Sequence, residues 1–233
     1  MARLTFAGLK AQGALVGQNN ATPNWIDIKF KAWLRKHYAS WPWPFLIAQA
    51  TGISLNAGAT TLLVGGGDGG LTSQISRIFS PMYYRANGYN TRGKAPIRSI
   101  VGDDYSQSFG QVDPSSQTGA PQSIIALPFS ENDGKQKFTI IPYPIPDKLY
   151  TVSFTYQQLP DDPGETDVPR YPNEMTLIQA VKVAALEFDQ TNDPVYKQEA
   201  DILAQMVAAD RATYGGTSSF GDFMQLDSGV FLP

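Results

Sequence analysis

The stretch Trp41-Pro42-Trp43-Pro44-Phe45 constrains this chain most, because it sets three large aromatics around two prolines. Each proline fixes its own φ, removes a backbone donor and pushes its predecessor out of the helical region. Trp41 and Trp43 are therefore biased to extended backbone, and any preceding helix has to stop. Burying one aromatic removes roughly 150–250 Å² from water, about 4–6 kcal/mol at 25 cal/mol/Å² before conformational entropy opposes it. Such a rigid apolar hinge is expected to clamp a helical layer to a sheet layer. Trp41→Ala or Trp43→Ala is expected to cost about 3–5 kcal/mol if the side chain is buried. Trp41, Trp43 and Phe45 are read as a structural junction, not as a binding site.

On either side of the hinge the patterning differs. Residues 1–22 mix Gly8, Gly13 and Gly17 with scattered Leu4, Phe6, Leu9 and Leu15, which reads as an extended or weakly helical arm. Thr22 is a plausible N-cap with Pro23 in the first turn, and Trp25, Ile28, Ala32 and Trp33 recur at helical spacing, so a helix is expected over about 23–38. From Gly52 to Gln158 short apolar runs alternate with Gly, Pro, Asn and Asp: 60–64, 74–79, 82–85, 97–101, 123–127, 137–141 and 149–157. The last is the clearest strand, since Tyr150, Val152, Phe154 and Tyr156 alternate with Thr151, Ser153, Thr155 and Gln157. Asn132-Asp133-Gly134 marks a tight turn.

The proline- and acid-rich residues 159–172 read as a solvated linker. Asn173 then caps a helix carrying Leu177, Val181, Ala184, Ala185 and Phe188 on one stripe. Asp193-Pro194 opens a second helix, with Ile202, Leu203, Met206 and Val207 inward, that Gly215-Gly216 ends. The fold class is α+β: a helical bundle from about 23–38 and the hairpin 173–214, with an antiparallel β-sandwich or barrel-like insert at about 52–158. The expected domains are an arm (1–22), the bundle (23–45 plus 173–214), a β domain (46–172) and a tail (215–233). That tail places Phe220, Phe223, Met224, Leu226, Val230, Phe231 and Leu232 behind a Thr-Ser-Ser leash, too apolar for a disordered segment. It is read as a partner-binding element.

Function classes narrow by chemistry. The chain has 233 residues, 42 % hydrophobic and 12 % aromatic, enough for a core without metal or disulfide staples. With no Cys, thiolate catalysis and Cys-based metal sites are excluded and a reducing compartment is expected. The N-terminal apolar stretch is too short for a signal peptide, and no window approaches the ~20 apolar residues of a membrane span. Eighteen basic and 21 acidic residues leave a net charge of −3, so no bulk field attracts nucleic acid. Charge is nevertheless segregated. Residues 24–40 hold Lys29, Lys31, Arg35 and Lys36 against Asp27, whereas 173–213 hold seven acids against three bases, which favours packing the two segments together within a subunit or between neighbours.

His37 is the only histidine and carries no local triad signature. Gly65–Gly70 lacks the Gly-Lys-Ser/Thr and the following helix of a phosphate loop and reads as a mobile hairpin tip. The acidic loop 161–167 is interrupted by prolines and reads as a solvated face, not a Ca²⁺ loop. No catalytic, metal or cofactor group is expected. Tyr83, Tyr84, Tyr89 and Tyr105 on a β-rich scaffold leave one alternative open, a carbohydrate-binding module of a phage tail or cell-surface protein.

The order of several motifs resembles a known family. A helix leads into Trp43-Pro44-Phe45, and Gly119-Ala120-Pro121 precedes a strand. Ile140-Ile141-Pro142 is followed by Pro146-Asp147, the strand Tyr150 to Tyr156 ends at Leu159-Pro160, and Tyr171-Pro172 opens Leu177-Ile178. Over about residues 22–214 this is similar to the head-to-tail adaptor (connector) proteins of tailed bacteriophages, the group that includes podovirus tail tubular proteins of the A type and related portal-binding accessory factors. The resemblance implies a non-enzymatic virion protein of the phage neck, assembled in the host cytoplasm. It would form a ring, usually of twelve copies, beneath the portal. Its partners would be itself, the portal protein and tail nozzle or fibre proteins, with genomic DNA passing through the channel without specific binding and no membrane involved. The segments Gly65–Gly70 and 102–119 exceed what a compact member of that family needs.

Overall fold

A computed structural model of the chain describes residues 3–16, 22–84, 97–99, 117–130, 134–188 and 193–214. The protein is mixed α and β, with four helices and mainly antiparallel sheets among these residues. It divides into two compact units, one drawn from Met1–Pro44 and Pro160–Thr217, the other from Phe45–Leu159, so the boundary falls inside the Trp-Pro stretch.

The helical unit holds α1 (Phe6–Val16), α2 (Pro23–Ser40), α3 (Glu174–Leu186) and α4 (Pro194–Tyr214), with α3 in contact with each of the other three. Thr22, Asn173 and Asp193 all cap helices: their side-chain oxygens accept from the backbone N–H of Trp25, Met175 and Val195. The arm expected over 1–22 is instead a real helix at 6–16. Gly13 is a contact point: a Cβ on it would lie 2.1 Å from Val181 Cγ1, so only glycine lets α1 approach α3 this closely. The linker is solvated at 161, 164–168 and 170 and forms no strand after 159, but it is not solvated throughout. Pro163, Pro169 and Tyr171 are buried, and the carbonyls of Asp167 and Glu165 accept from the N–H groups of Phe6 and Ala7 at 2.8 and 3.0 Å. The loop thus satisfies donors that the first turn of α1 leaves open.

On α2 the buried stripe is Ile26, Phe30, Leu34 and Tyr38, displaced from the expected Trp25, Ile28, Ala32 and Trp33. Ile28 and Ala32 face solvent. On α4, Leu203 and Val207 are buried as expected, but Ile202 points outward at 37 % exposure.

The second unit holds two main sheets. Strands β1 (Ile47–Leu55), β9 (Tyr150–Leu159) and β3 (Gln74–Tyr84) form one, in the order β1-β9-β3; β2 (Leu62–Val64), β7 (Gln136–Tyr143), β6 (Ser123–Ser130) and β4 (Arg98–Ser99) form the other, in the order β2-β7-β6-β4. A small pair joins β5 (Thr118–Gly119) to β8 (Ile145–Pro146). One apolar core draws on both main sheets, with Ile53, Ile78 and Phe154 from the first and Val64, Ile124 and Ile140 from the second. Central β9 buries its apolar face as its alternation requires. It also buries Ser153 and Gln157 from the polar face, which the alternation alone does not require.

Several strand boundaries differ from the sequence reading. β1 begins at Ile47, ahead of the expected onset at Gly52. The runs 74–79 and 82–85 are one strand, β3, that passes through Pro81 with register shifts. Of 97–101, residues 97–99 are described; there Arg98–Ser99 is strand and pairs with β6 in parallel, as β5 does with β8. Gly65–Gly70 contains a tight hairpin turn, since Gly65 and Asp68 pair as an antiparallel bridge, but it does not join β2 to β3 as a hairpin, because these belong to different sheets. It is a crossover held by its own hydrogen bonds, Gly66 N–H to the Ser73 carbonyl and Gly67 N–H to the Leu71 carbonyl, both 2.8 Å. Its positive φ values demand glycine.

Candidate functional site

The Trp-Pro stretch gives its three aromatics different surroundings. Trp41 ends α2 in extended conformation, and the Arg211 guanidinium lies over its ring at 5.6 Å while Arg211 Nη2 donates to Ser40 Oγ. Trp43 is 0 % exposed. Its Nε1 donates to the His37 carbonyl at 2.8 Å, satisfying one of the acceptors that the end of α2 leaves open, and its ring meets Tyr171 edge-on at 5.6 Å. Tyr171 continues to Trp33, Trp33 to Phe30 and Phe30 to Phe6, so one chain of aromatic contacts crosses the helical unit. Phe45, beyond the boundary, is partly exposed. The three aromatics therefore do not share the single clamping role the sequence suggested; Trp43 belongs to the helical core.

Beneath Tyr171 lies a polar cluster that sequence reasoning missed. Asp210 on α4 is 3 % exposed. It accepts from Asn173 Nδ2 at 2.7 Å and Thr176 Oγ1 at 2.6 Å. A buried carboxylate needs such donors, and these come from the start of α3, so the acid ties α4 to the cap of α3. Burial, with Asp210 adding to it, pushes the Tyr171 phenol far above its usual range. His37 is likewise held below its ordinary value by burial, with the Arg211 and Lys36 charges adding to that and a hydrogen bond to the Trp33 carbonyl opposing it. That carbonyl, 2.8 Å from Nδ1, fixes the ring against Trp33. This is a packed histidine with no serine or carboxylate placed on it among the described contacts.

Several charges of the helical unit pair with one another. Lys29 pairs with Glu187 at 2.6 Å, joining the basic α2 to the acidic C-terminal segment, and Arg35 grips Asp162 through two hydrogen bonds. Lys10 takes Glu165. Two acids of the loop once weighed as a cation site are thus already occupied by bases, and no metal-holding group of His, Asp or Glu occurs among the described residues. A few apolar side chains stand among the polar ones that the unit turns outward. Ile28 and Ala39 with Lys36 lie along α2, and Val195, Ile202 and Ala209 recur every seven residues along α4, where Val195 is half exposed.

The tail residues Phe220 to Leu232, Tyr89, Tyr105 and Asn132-Asp133 lie outside the described residues. Tyr83 and Tyr84 are neighbours on one strand and so point to opposite faces. Tyr83 is exposed, whereas the Tyr84 hydroxyl donates to the Pro121 carbonyl and its ring packs on Tyr150 at 5.6 Å. They do not form one stacking platform. No described helix is long and apolar enough to cross a membrane. Compared with known proteins, the chain matches no family model and no curated sequence.

Proposed function

We propose that this chain is a head-to-tail adaptor of a tailed bacteriophage, a non-enzymatic protein whose copies form a ring beneath the portal, extend the DNA channel and seat nozzle or fibre proteins. In this reading the helices make a bundle that builds the ring wall, the two sheets make a sandwich that projects from it, and the C-terminal tail grips a partner. The observation that carries the reading is a pair of exposed apolar positions on different helices, Ile28 on α2 on the side of Lys36, and Val195 with Ile202 on α4 beside Asp201. Two different faces of one subunit suit a head-to-tail contact, which closes into a ring when its rotation permits. A net charge of −3 suits a wall past which DNA phosphate slides. The carbohydrate-binding alternative is weakened by the opposite orientations of Tyr83 and Tyr84.

Mass photometry and negative-stain imaging of the protein with portal test this. The wild type is expected to give rings. The double variant Val195→Glu/Ile202→Glu, exposed and therefore within about 0.5 kcal/mol of wild-type stability per site, is expected to keep its circular dichroism and lower the ring fraction at least tenfold. A wild-type monomer that never joins itself or portal sinks the proposal.

A further inference from the structure

The helix α1 is fastened to its unit unevenly. Its first half carries the attachments. Arg3 donates from Nη1 and Nη2 to the Tyr171 and Pro172 carbonyls at 3.2 Å, and the Leu4 N–H reaches the Glu174 carboxylate at 2.6 Å. Phe6 and Ala7 donate to the carbonyls of Asp167 and Glu165, and Lys10 pairs with the Glu165 carboxylate. Phe6 and Leu9 are fully buried, with Phe6 stacked on Phe30 at 5.5 Å. Beyond Lys10 it is Gly13 that meets α3, at Val181, while Leu15 stands 85 % exposed.

Left to itself this segment is a poor helix. Its 11 residues fall below the ~12–15 at which even alanine-rich sequences become marginal in water, and Gly8 and Gly13 lower the propensity further. Thr5 supplies a local cap to the Gly8 N–H, but the first turn holds no acid; the carboxylate at its start is Glu174 of α3. The other three helices are tied without α1. Thr176 donates to buried Asp210 and Lys182 pairs with Glu199 between α3 and α4, while Lys29 pairs with Glu187 and Trp25 Nε1 donates to the Ala184 carbonyl between α2 and the α3 end. We infer that α1 is a strap, folded only while docked, that opens as one unit from α2, α3 and α4 as these stay folded. Each opening uncovers Phe30 and Val181, both 0 % exposed when the strap is closed, and takes the donors from the Glu165, Asp167, Tyr171 and Pro172 carbonyls. The strap thus decides whether an apolar surface of α2 and α3 is covered. The inference concerns the single chain and does not rest on ring formation.

Native-state amide exchange of the full chain, read residue by residue at a series of urea concentrations below the unfolding transition, tests this. The amides of Leu9–Val16 are expected to exchange at least tenfold faster than those of Val181–Leu186. They are also expected to share one opening, with a common urea dependence well below that of global unfolding. Exchange in α1 at the α3 rate, or with the global urea dependence, overturns the inference, because α1 then belongs to one cooperative unit. A graded rise along α1 with no urea dependence overturns it too, since that is end fraying and not an opening. As a second measurement, Thr176→Val removes a donor from Asp210 and leaves every α1 attachment in place. It is expected to raise exchange in α3 and α4 at least fivefold while the α1 rates stay within twofold of wild type; a parallel rise in α1 refutes the strap.

Discussion

Replacing Trp43 by alanine removes the largest fully buried side chain of the protein. The loss combines the transfer of roughly 200 Å² of surface, the edge-on contact with Tyr171, and the hydrogen bond to the His37 carbonyl at the end of α2. Trp→Ala in a core costs about 3–5 kcal/mol. The orphaned carbonyl places Trp43→Ala at the upper end of that range, because a buried acceptor left without a partner costs about 1–3 kcal/mol. Trp43→Phe keeps most of the ring and loses only the Nε1 donor, so about 1–2 kcal/mol is expected. Trp41→Ala removes a half-buried ring stacked under Arg211 and is expected to cost about 1 kcal/mol, well below the value expected of an equally buried pair. Urea titration followed by ellipticity at 222 nm, which reports mainly on the helical unit, gives these numbers from midpoint shifts at constant m. A Trp43→Ala cost below about 1 kcal/mol, or a Trp41→Ala cost equal to it, refutes the reasoning.

Gly13→Ala drives a Cβ into Val181 and is expected to cost about 1–3 kcal/mol in thermal melts, with most of the loss recovered in Gly13→Ala/Val181→Ala. Because His37 has a folded-state pKa below its ordinary value of 6.5, the unfolded chain takes up the proton first. Its contribution to stability is complete above about pH 6.5 and is lost as pH falls from there through the lower folded value, a slope that His37→Gln should remove. Removing Thr217–Pro233 is expected to leave the circular dichroism unchanged and to weaken assembly with portal in mass photometry; unfolding of the shortened chain would instead assign the tail to the core.

Much of the fold was legible where local chemistry acts alone. Asn173 and Asp193-Pro194 announce their helices because a cap needs only nearby residues, and β9 is readable because its alternation is unbroken. The helix α1 was hidden since Gly13 serves a helix 168 positions later in sequence at Val181, and nothing local distinguishes a contact glycine from a loop glycine. The stripe of α2 was misread because Trp25 and Trp33 look like core residues. Trp25 instead lies near the surface, with its Nε1 on the Ala184 carbonyl and its ring under Lys29. Asp210 resembled any surface acid of a helix; its donors sit 37 and 34 residues upstream.

The helical unit is assembled from both sides of the strand-bearing stretch, and this orders events on the ribosome. α1 and α2 emerge early, but α3, against which both pack, follows only after the whole of Phe45–Leu159 has been made. At about 5–20 residues per second that interval is on the order of 10 s. Throughout it Trp33 and Trp43 lack Tyr171, and α1 and α2 lack α3, whereas both main sheets come to have all their described strands before α3 is made. Synthesis therefore completes the inserted unit before its scaffold, and the first two helices are the part of the nascent chain most in need of a chaperone.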